Sequence, residues 1–160
     1  MKKFSNKIGL IGMVRLQCRT KDGIPVWDTG FMKNQITEIG IAEVVALMGD
    51  IGSPAPFTYL ALGSDDTAPT AGDTDLGAEI VGNGLARQAA TVTSEETNFP
   101  DDTLQLQAEW TAAGSEEINE IGVFNDASAG EILGRLLTGS RNVEATMIVT
   151  ATYKIILTIS

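Results

Sequence analysis

The stretch MIVTATYKIILTI, residues 147–159, decides how this chain is read. Met147, Val149, Ala151, Tyr153, Ile155, Leu157 and Ile159 all fall on one parity, with Thr150, Thr152, Lys154 and Thr158 between them. Successive side chains of a strand point to opposite faces, so this alternation describes a long strand with one face buried. Its wealth of β-branched residues fits a pleated, half-buried surface. The same rhythm recurs upstream. Residues 103–111 set Leu104, Leu106, Ala108 and Trp110 against Gln105, Gln107 and Glu109. Further strands are expected at 57–63, 85–94, 117–124 and 131–138, the last two joined by a turn from Asp126 to Gly130.

At the other end, residues 9–20 alternate up to Lys21-Asp22-Gly23, a turn signal that sends the chain back through Ile24 to Phe31. Pro25 and Gly30 weaken the return segment and suit it to a sheet edge. One helix is expected near residues 37–48. Thr37 serves as N-cap and Glu38 suits the first turn, while Ile41, Val44, Val45 and Met48 recur at helical spacing. Gly49 is expected to end it in the left-handed conformation. Apolar residues on more than one side imply a helix buried against a sheet. The fold class is therefore all-β, mainly an antiparallel sandwich or barrel-like domain, with one short α-helix. Residues 1–32 read as a basic N-terminal hairpin or arm and residues 33–160 as the β-rich body of a single domain.

The 160 residues suit one core, which at this length removes roughly 70% of the unfolded surface from water. There is no histidine and one cysteine, Cys18, which excludes histidine-dependent triads, histidine-based zinc sites and an internal disulfide. A net charge of −10 argues against wrapping nucleic acid. No apolar run approaches the roughly 20 residues of a membrane helix. The start of the chain lacks the long h-region of a secretory signal, because Arg15 follows Ile8–Val14 too soon.

Charge is divided unevenly. Residues 1–35 hold seven cations against two acids, net +5, whereas residues 36–160 hold 19 acids against four cations, net −15. Lys2, Lys3, Lys7, Arg15 and Arg19 are thus candidates for docking on an acidic neighbour, including another copy of the chain. The alternative is that lysines on an edge hairpin prevent edge-to-edge aggregation. Trp27, close to Pro25 and Gly30, is a candidate interface anchor. Trp110 and Cys18 fall in strand register and read as core.

Chemical motifs are sparse. The acidic loop 64–84 offers Asp65, Asp66, Asp73 and Asp75 as oxygen ligands for calcium, but without the spacing of an EF-hand. A solvated acidic loop is the better reading. The pairs Glu95-Glu96, Asp101-Asp102 and Glu116-Glu117 are adjacent in sequence. Adjacent strand residues face opposite ways, so none of these pairs converges on one substrate as glycoside hydrolysis requires. No glycine pattern cradles phosphate. No enzyme activity, cofactor or metal is expected.

Several segments, in order, resemble a module of tailed-bacteriophage structural proteins, found in tail-fibre-like and other virion surface components. They are KNQITEIGIAEVVALMG (33–49), FTYLALGSDDTAPTAGDTDLGAE (57–79), LARQAATV (85–92), EINEIGVFNDASAGEILGR (117–135) and IVTATYKIILTIS (148–160). The resemblance implies a virion location, assembly in the host cytoplasm and no catalytic residues. It implies packing against copies of the chain, by analogy a homotrimer, and against the major capsid or tail proteins. A capsid decoration or cement protein is the first expectation; a tail, neck, baseplate or fibre component is the second. A host-surface carbohydrate-binding module is a further alternative, weakened by an inventory of nine aromatic residues that mostly fall in strand register.

Overall fold

The computed structural model describes residues 7–160. Within them the elements run β1 (Ile8–Arg19), β2 (Pro25–Asp28), β3 (Met32–Lys33), β4 (Gln35–Ile36), α1 (Glu38–Gly49), β5 (Tyr59–Gly63), β6 (Gln88–Ala89) and β7 (Thr91–Glu95). They continue with β8 (Thr103–Thr111), β9 (Glu116–Phe124), β10 (Ile132–Val143) and β11 (Ile148–Ile159). Every strand pairing is antiparallel. One sheet is ordered β2-β1-β11-β8-β7, with β3 also on β1; the other is ordered β4-β10-β9-β5-β6. The two face each other as an all-β sandwich with a single short helix.

The alternation of β11 sets the register of the first sheet. Tyr153, Ala151 and Val149 stand opposite Val14, Leu16 and Cys18 of β1 on one side and Leu106, Ala108 and Trp110 of β8 on the other. These nine side chains are buried and meet Leu60, Leu62, Ile118, Ile121, Val123 and Leu133 from the second sheet. Burying each large aliphatic side chain contributes about 1.5–3 kcal/mol. Burial also raises the Cys18 thiol pKa above its ordinary value, keeping it an inert small hydrophobe. Residues 8–19, the basic end of the sequence, thus lie within the sheet between β2 and β11.

The chain changes sheets four times, at β3–β4, β6–β7, β8–β9 and β10–β11, and the first two crossings are made within single residues. Asn34 lies between β3 and β4; its N–H bonds the Gly12 carbonyl at 3.1 Å, and its side-chain amide donates to the Tyr153 hydroxyl. A Cβ on Gly12 or Gly134 would fall 1.9 or 2.2 Å from the Asn34 amide, so both strands approach Asn34 through missing side chains. Ala90 lies between β6 and β7 and bonds the Thr58 carbonyl at 2.8 Å. Residues 85–94, expected as one strand, are therefore two strands that serve different sheets. Strand β10 runs to Val143, past the expected end at 138, with register shifts at 132–134 and 137–141. The first shift inserts one extra residue in β10 and the second inserts two, and such bulges let an irregular pattern stay paired.

Two expectations for the helix are corrected. Thr37 is the N-cap, its hydroxyl accepting from Gly40 N–H at 3.0 Å, but the left-handed residue at the far end is Asp50 (φ 49°), with Gly49 still helical. Asp tolerates this conformation better than most non-glycine residues. The helix is not buried. Gly40 alone is fully covered, pressed so close to Leu133 that a Cβ would lie 2.5 Å from its Cα. Val44 packs on the core from the same side, while Ile41, Val45 and Met48 share an exposed face about a quarter-turn away.

Candidate functional site

The candidate docking residues lie apart. Lys2 and Lys3 fall outside the described residues. Lys7 is exposed and exchanges two backbone hydrogen bonds with Ser160, at 2.7 and 2.9 Å, at the very tip of the first sheet. Arg15 and Arg19 point to the outer face of that sheet. The Arg15 guanidinium grips Asp28 through Nε at 2.9 Å and Nη2 at 2.5 Å, and Arg19 reaches Glu109 at 3.0 Å. The Arg15 bond, with a second from Gly30 N–H, holds the Asp28 carboxyl far below its ordinary range. Trp27 faces the other way, at the sheet edge, where its indole N–H donates to the Asn142 carbonyl at 3.0 Å. The charge split along the sequence is cancelled in space at one point, where Arg19 pairs with Glu109 of the acidic body; Arg15 pairs with Asp28 of its own basic segment.

The acidic loop is closed upon itself by two arginines that sequence spacing did not single out. Arg135, on β10 and 3% exposed, donates to Glu120 at 2.5 Å, Asp65 at 2.8 Å and Asp73 at 3.0 Å. Glu120 is wholly buried and also accepts from Gly77 and Ala78 N–H at 3.2 and 2.9 Å. Partial burial opposes ionisation of Asp65 and Asp73. Hydrogen bonds from Thr67 and Thr70, together with Arg135, outweigh it and hold both carboxyls below the usual range. Arg87 grips Glu79 at 3.0 and 2.5 Å, donates to the Asp126 and Ala129 carbonyls, and stacks 3.6 Å from the Phe124 ring centre. The depression over this loop, about 500 Å³, is lined by Asp65, Asp73, Asp75 and Arg135 among others. Its inner carboxylates already serve a guanidinium. Among the described residues, no three His, Cys, Asp or Glu side chains are grouped to hold a metal ion.

The adjacent acid pairs diverge. Asp102 is buried and accepts from the N–H groups of Thr97, Asn98 and Phe99 at 2.8–3.2 Å, whereas Asp101 is exposed and bonds Ser94 Oγ at 2.7 Å. Desolvation opposes the Asp102 charge, but these donors prevail and bring its pKa down to about 2. Glu95 pairs with Lys154, Glu116 with Asn83 and Glu117 with Asn119.

The most unusual surface is apolar. The inner face of the first sheet runs out past its cover at the end where β1 begins and β11 finishes. Along β11, exposure climbs from 0% at Tyr153 and 5% at Ile155 to 43% at Leu157 and 65% at Ile159. Opposite them stand Leu10 and Ile8, and Ile8 is 77% exposed. A slot of about 350 Å³ opens beside this overhang. Leu10, Leu104 and Leu157 line it from the sheet, Val44 and Leu47 from α1, and Val92 from β7. Phe99, Ile41, Val45, Met48 and Ile51 are also exposed on the neighbouring loops and helix. This end is not legible in the sequence, because the alternation in β11 continues unchanged to Ile159 and apolar residues all round α1 point to burial. Among the described residues no helix is long and apolar enough to cross a membrane. Comparison of the chain with protein-family models, curated proteins and solved structures finds no match.

Proposed function

We propose that the chain is a non-enzymatic structural protein of a tailed-phage virion, a capsid decoration or cement subunit that packs on the particle and against copies of itself. The observation that carries this reading is the overhang: side chains patterned for a core, set at one end of the sandwich and left uncovered among the described residues. Monomeric soluble proteins rarely leave a contiguous apolar patch of more than a few hundred Å² exposed, and larger ones mark sites of contact. The ten exposed apolar side chains at this end average about half exposure. At roughly 170 Å² for a full-size apolar residue, they offer on the order of 900 Å², close to the ~800 Å² each partner gives to a standard interface. Of the segments that resemble phage virion modules, 33–49 contains α1 and 148–160 contains β11, and these two elements carry part of the overhang.

Light scattering on size-separated protein and mass spectrometry of purified particles test the proposal together. The expected results are an oligomer at micromolar concentration and copies per particle comparable with the major capsid protein. A low copy number in the particle moves the seat to the tail or neck. Absence from the particle refutes the virion reading.

A further inference from the structure

We propose that the free edge of β7 pairs antiparallel with β7 of a second copy, about a two-fold axis at Thr93, joining the first sheets of two subunits into one. The proposal rests on the reading that copies pack together, and it adds which strand meets which and in what register.

Backbone parity determines what this edge offers. At both ends of β8 the even-numbered residues turn to β11: Leu157 N–H donates to the Asp102 carbonyl at 2.9 Å, and Ala112 N–H to the Met147 carbonyl at 2.8 Å. Residues of an antiparallel strand alternate in the neighbour they bond, so Thr103, Gln105 and Gln107 turn to β7. Their partners there are Glu95, Thr93 and Thr91. Val92 and Ser94 therefore direct N–H and C=O away from β8. Ala90, of the same parity, gives its N–H to the Thr58 carbonyl at 2.8 Å. Beyond Ala90, β7 is the last strand of its sheet, and no described residue bonds the backbone of Val92 or Ser94 on the open side.

The other edges are guarded. Strands β3, β4 and β6 are two residues long. Strand β2 begins at Pro25, shifts register against β1 between Cys18 and Arg19, and ends at Asp28 in the grip of Arg15. Short strands, proline, bulges and charge are the devices by which edges avoid pairing. From Thr91 to Ser94, β7 has no proline, charge or register shift, and all four residues are exposed.

Charge selects a second copy as the occupant. Residues 36–160 carry net −15, yet residues 88–94, QAATVTS, hold no charge. Gln107 and Gln105, beside Thr91 and Thr93, hold none either. Two like-charged bodies can approach along this strip without setting acids against each other. The two-fold register completes the match. With Thr93 opposite Thr93 of the second copy, Val92 faces Ser94 of that copy, and the two pairs so formed each exchange both backbone bonds. Opposed threonines are a favourable cross-strand pair. Glu95 falls opposite Thr91 of the second copy and keeps its own Lys154 at 2.7 Å. Antiparallel pairing also sets the two acidic turns, residues 95–102, at opposite ends of the joint.

Cysteine cross-linking tests the register. Thr93→Cys is exposed to oxidised glutathione at a concentration where light scattering finds oligomer; Cys18 is buried and out of reach. Directly opposed strand residues bring their Cα atoms within the roughly 4.4–6.8 Å of a disulfide, whereas Thr91 and its counterpart lie about 13 Å apart along the joint. The expected result is a linked dimer from Thr93→Cys and at least about tenfold less from Thr91→Cys. Val92→Pro gives a second reading. Val92 N–H is unbonded within the chain, so proline is tolerated there, while the joint loses one bond from each copy and its dissociation constant rises about tenfold. An oligomer that links equally from both positions or from neither, or that Val92→Pro leaves as tight as before, overturns the edge pairing and leaves self-packing intact. In purified particles, Thr93→Cys linked to a different protein assigns the edge to that protein and also overturns the pairing. A chain that stays monomeric at every concentration overturns both readings.

Discussion

Replacing Arg135 by Met removes the hub of the loop while keeping the length and apolar stem of the side chain. What remains is Glu120, wholly buried, with two backbone N–H donors but no cation. Breaking a buried ion pair by deleting one partner costs about 3–5 kcal/mol, because the other charge stays desolvated and uncompensated. The bonds to Asp65 and Asp73 add little, since those carboxylates are partly open to solvent. For a chain of this size 1 kcal/mol moves the melting temperature by about 2–4 °C, so Arg135→Met is expected to melt about 6–20 °C lower at pH 7. Adding Glu120→Gln keeps an acceptor for Gly77 and Ala78 and removes the stranded charge, so the double variant is expected to melt above the single one. The deficit should also depend on pH. Asp65 and Asp73 are held below the ordinary carboxyl value of 3.8, so their share of stability is complete above that value and fades as pH falls through their lower folded values. Arg135→Met, without the guanidinium, has less of this share to lose, so the gap between the two melting temperatures narrows slightly below about pH 4. Circular dichroism melts at pH 7 and pH 3 measure all of this. A single variant within 2 °C of the unaltered protein, or a double variant no better than the single, would refute the assignment of Arg135 as the hub, since either loss is below the ~2–4 °C of even 1 kcal/mol.

Three further substitutions or conditions probe the same framework. Gly134→Ala, which in an open strand would be neutral or helpful, places a Cβ 2.2 Å from the Asn34 amide, 2.8 Å from the Tyr153 hydroxyl and 3.0 Å from the Gln35 carbonyl. Calorimetry should show a loss of about 1–3 kcal/mol from overpacking. Arg87→Lys keeps the charge but loses the fork on Glu79 and the stacking on Phe124, so amide exchange across residues 64–84 should accelerate with little change elsewhere. For Asp102, with a folded pKa of about 2, stabilisation is present above pH 3.8 and lost as pH falls toward 2. Asp102→Asn should therefore flatten the acid limb of a stability-against-pH curve, read by urea titration.

The framework was legible where periodicity is strict. Residues 103–111 and 148–159 alternate cleanly, and both strands lie where the pattern put them. What periodicity could not convey is coverage. Leu157 and Ile159 carry the same alternation as Tyr153, yet the second sheet stops short of them, and that depends on sheet length rather than on β11. The helix misled for a related reason: apolar residues all round signal burial only if a second surface covers them, and for Ile41, Val45 and Met48 none does among the described residues. Residues 85–94 concealed a sheet change because Ala90 carries no turn signature. The Arg135 cluster was hidden by distance, since Asp65, Asp73, Glu120 and Arg135 are brought together by strand pairing and not by spacing.

The placement of cations explains why contact should occur at the end of the sandwich or along the uncharged β7 edge, and not across its acidic sides. Beyond residue 35 the chain has four cations, and each is committed within the fold. Arg87 and Arg135 close the acidic loop, Arg141 bonds the Thr138 carbonyl beside Trp27, and Lys154 pairs with Glu95 at 2.7 Å. The remaining carboxylates leave the body with surplus negative charge. Two such bodies meeting side by side away from β7 would bring like charges within the ~8–10 Å over which salt fails to screen them. Meeting through the overhang would instead set apolar side chains in the contact and leave most of the acids outside it, exposed to solvent and screened by salt. Apolar attraction and electrostatic repulsion thus favour the same geometry, and the end of β11 is where both are satisfied.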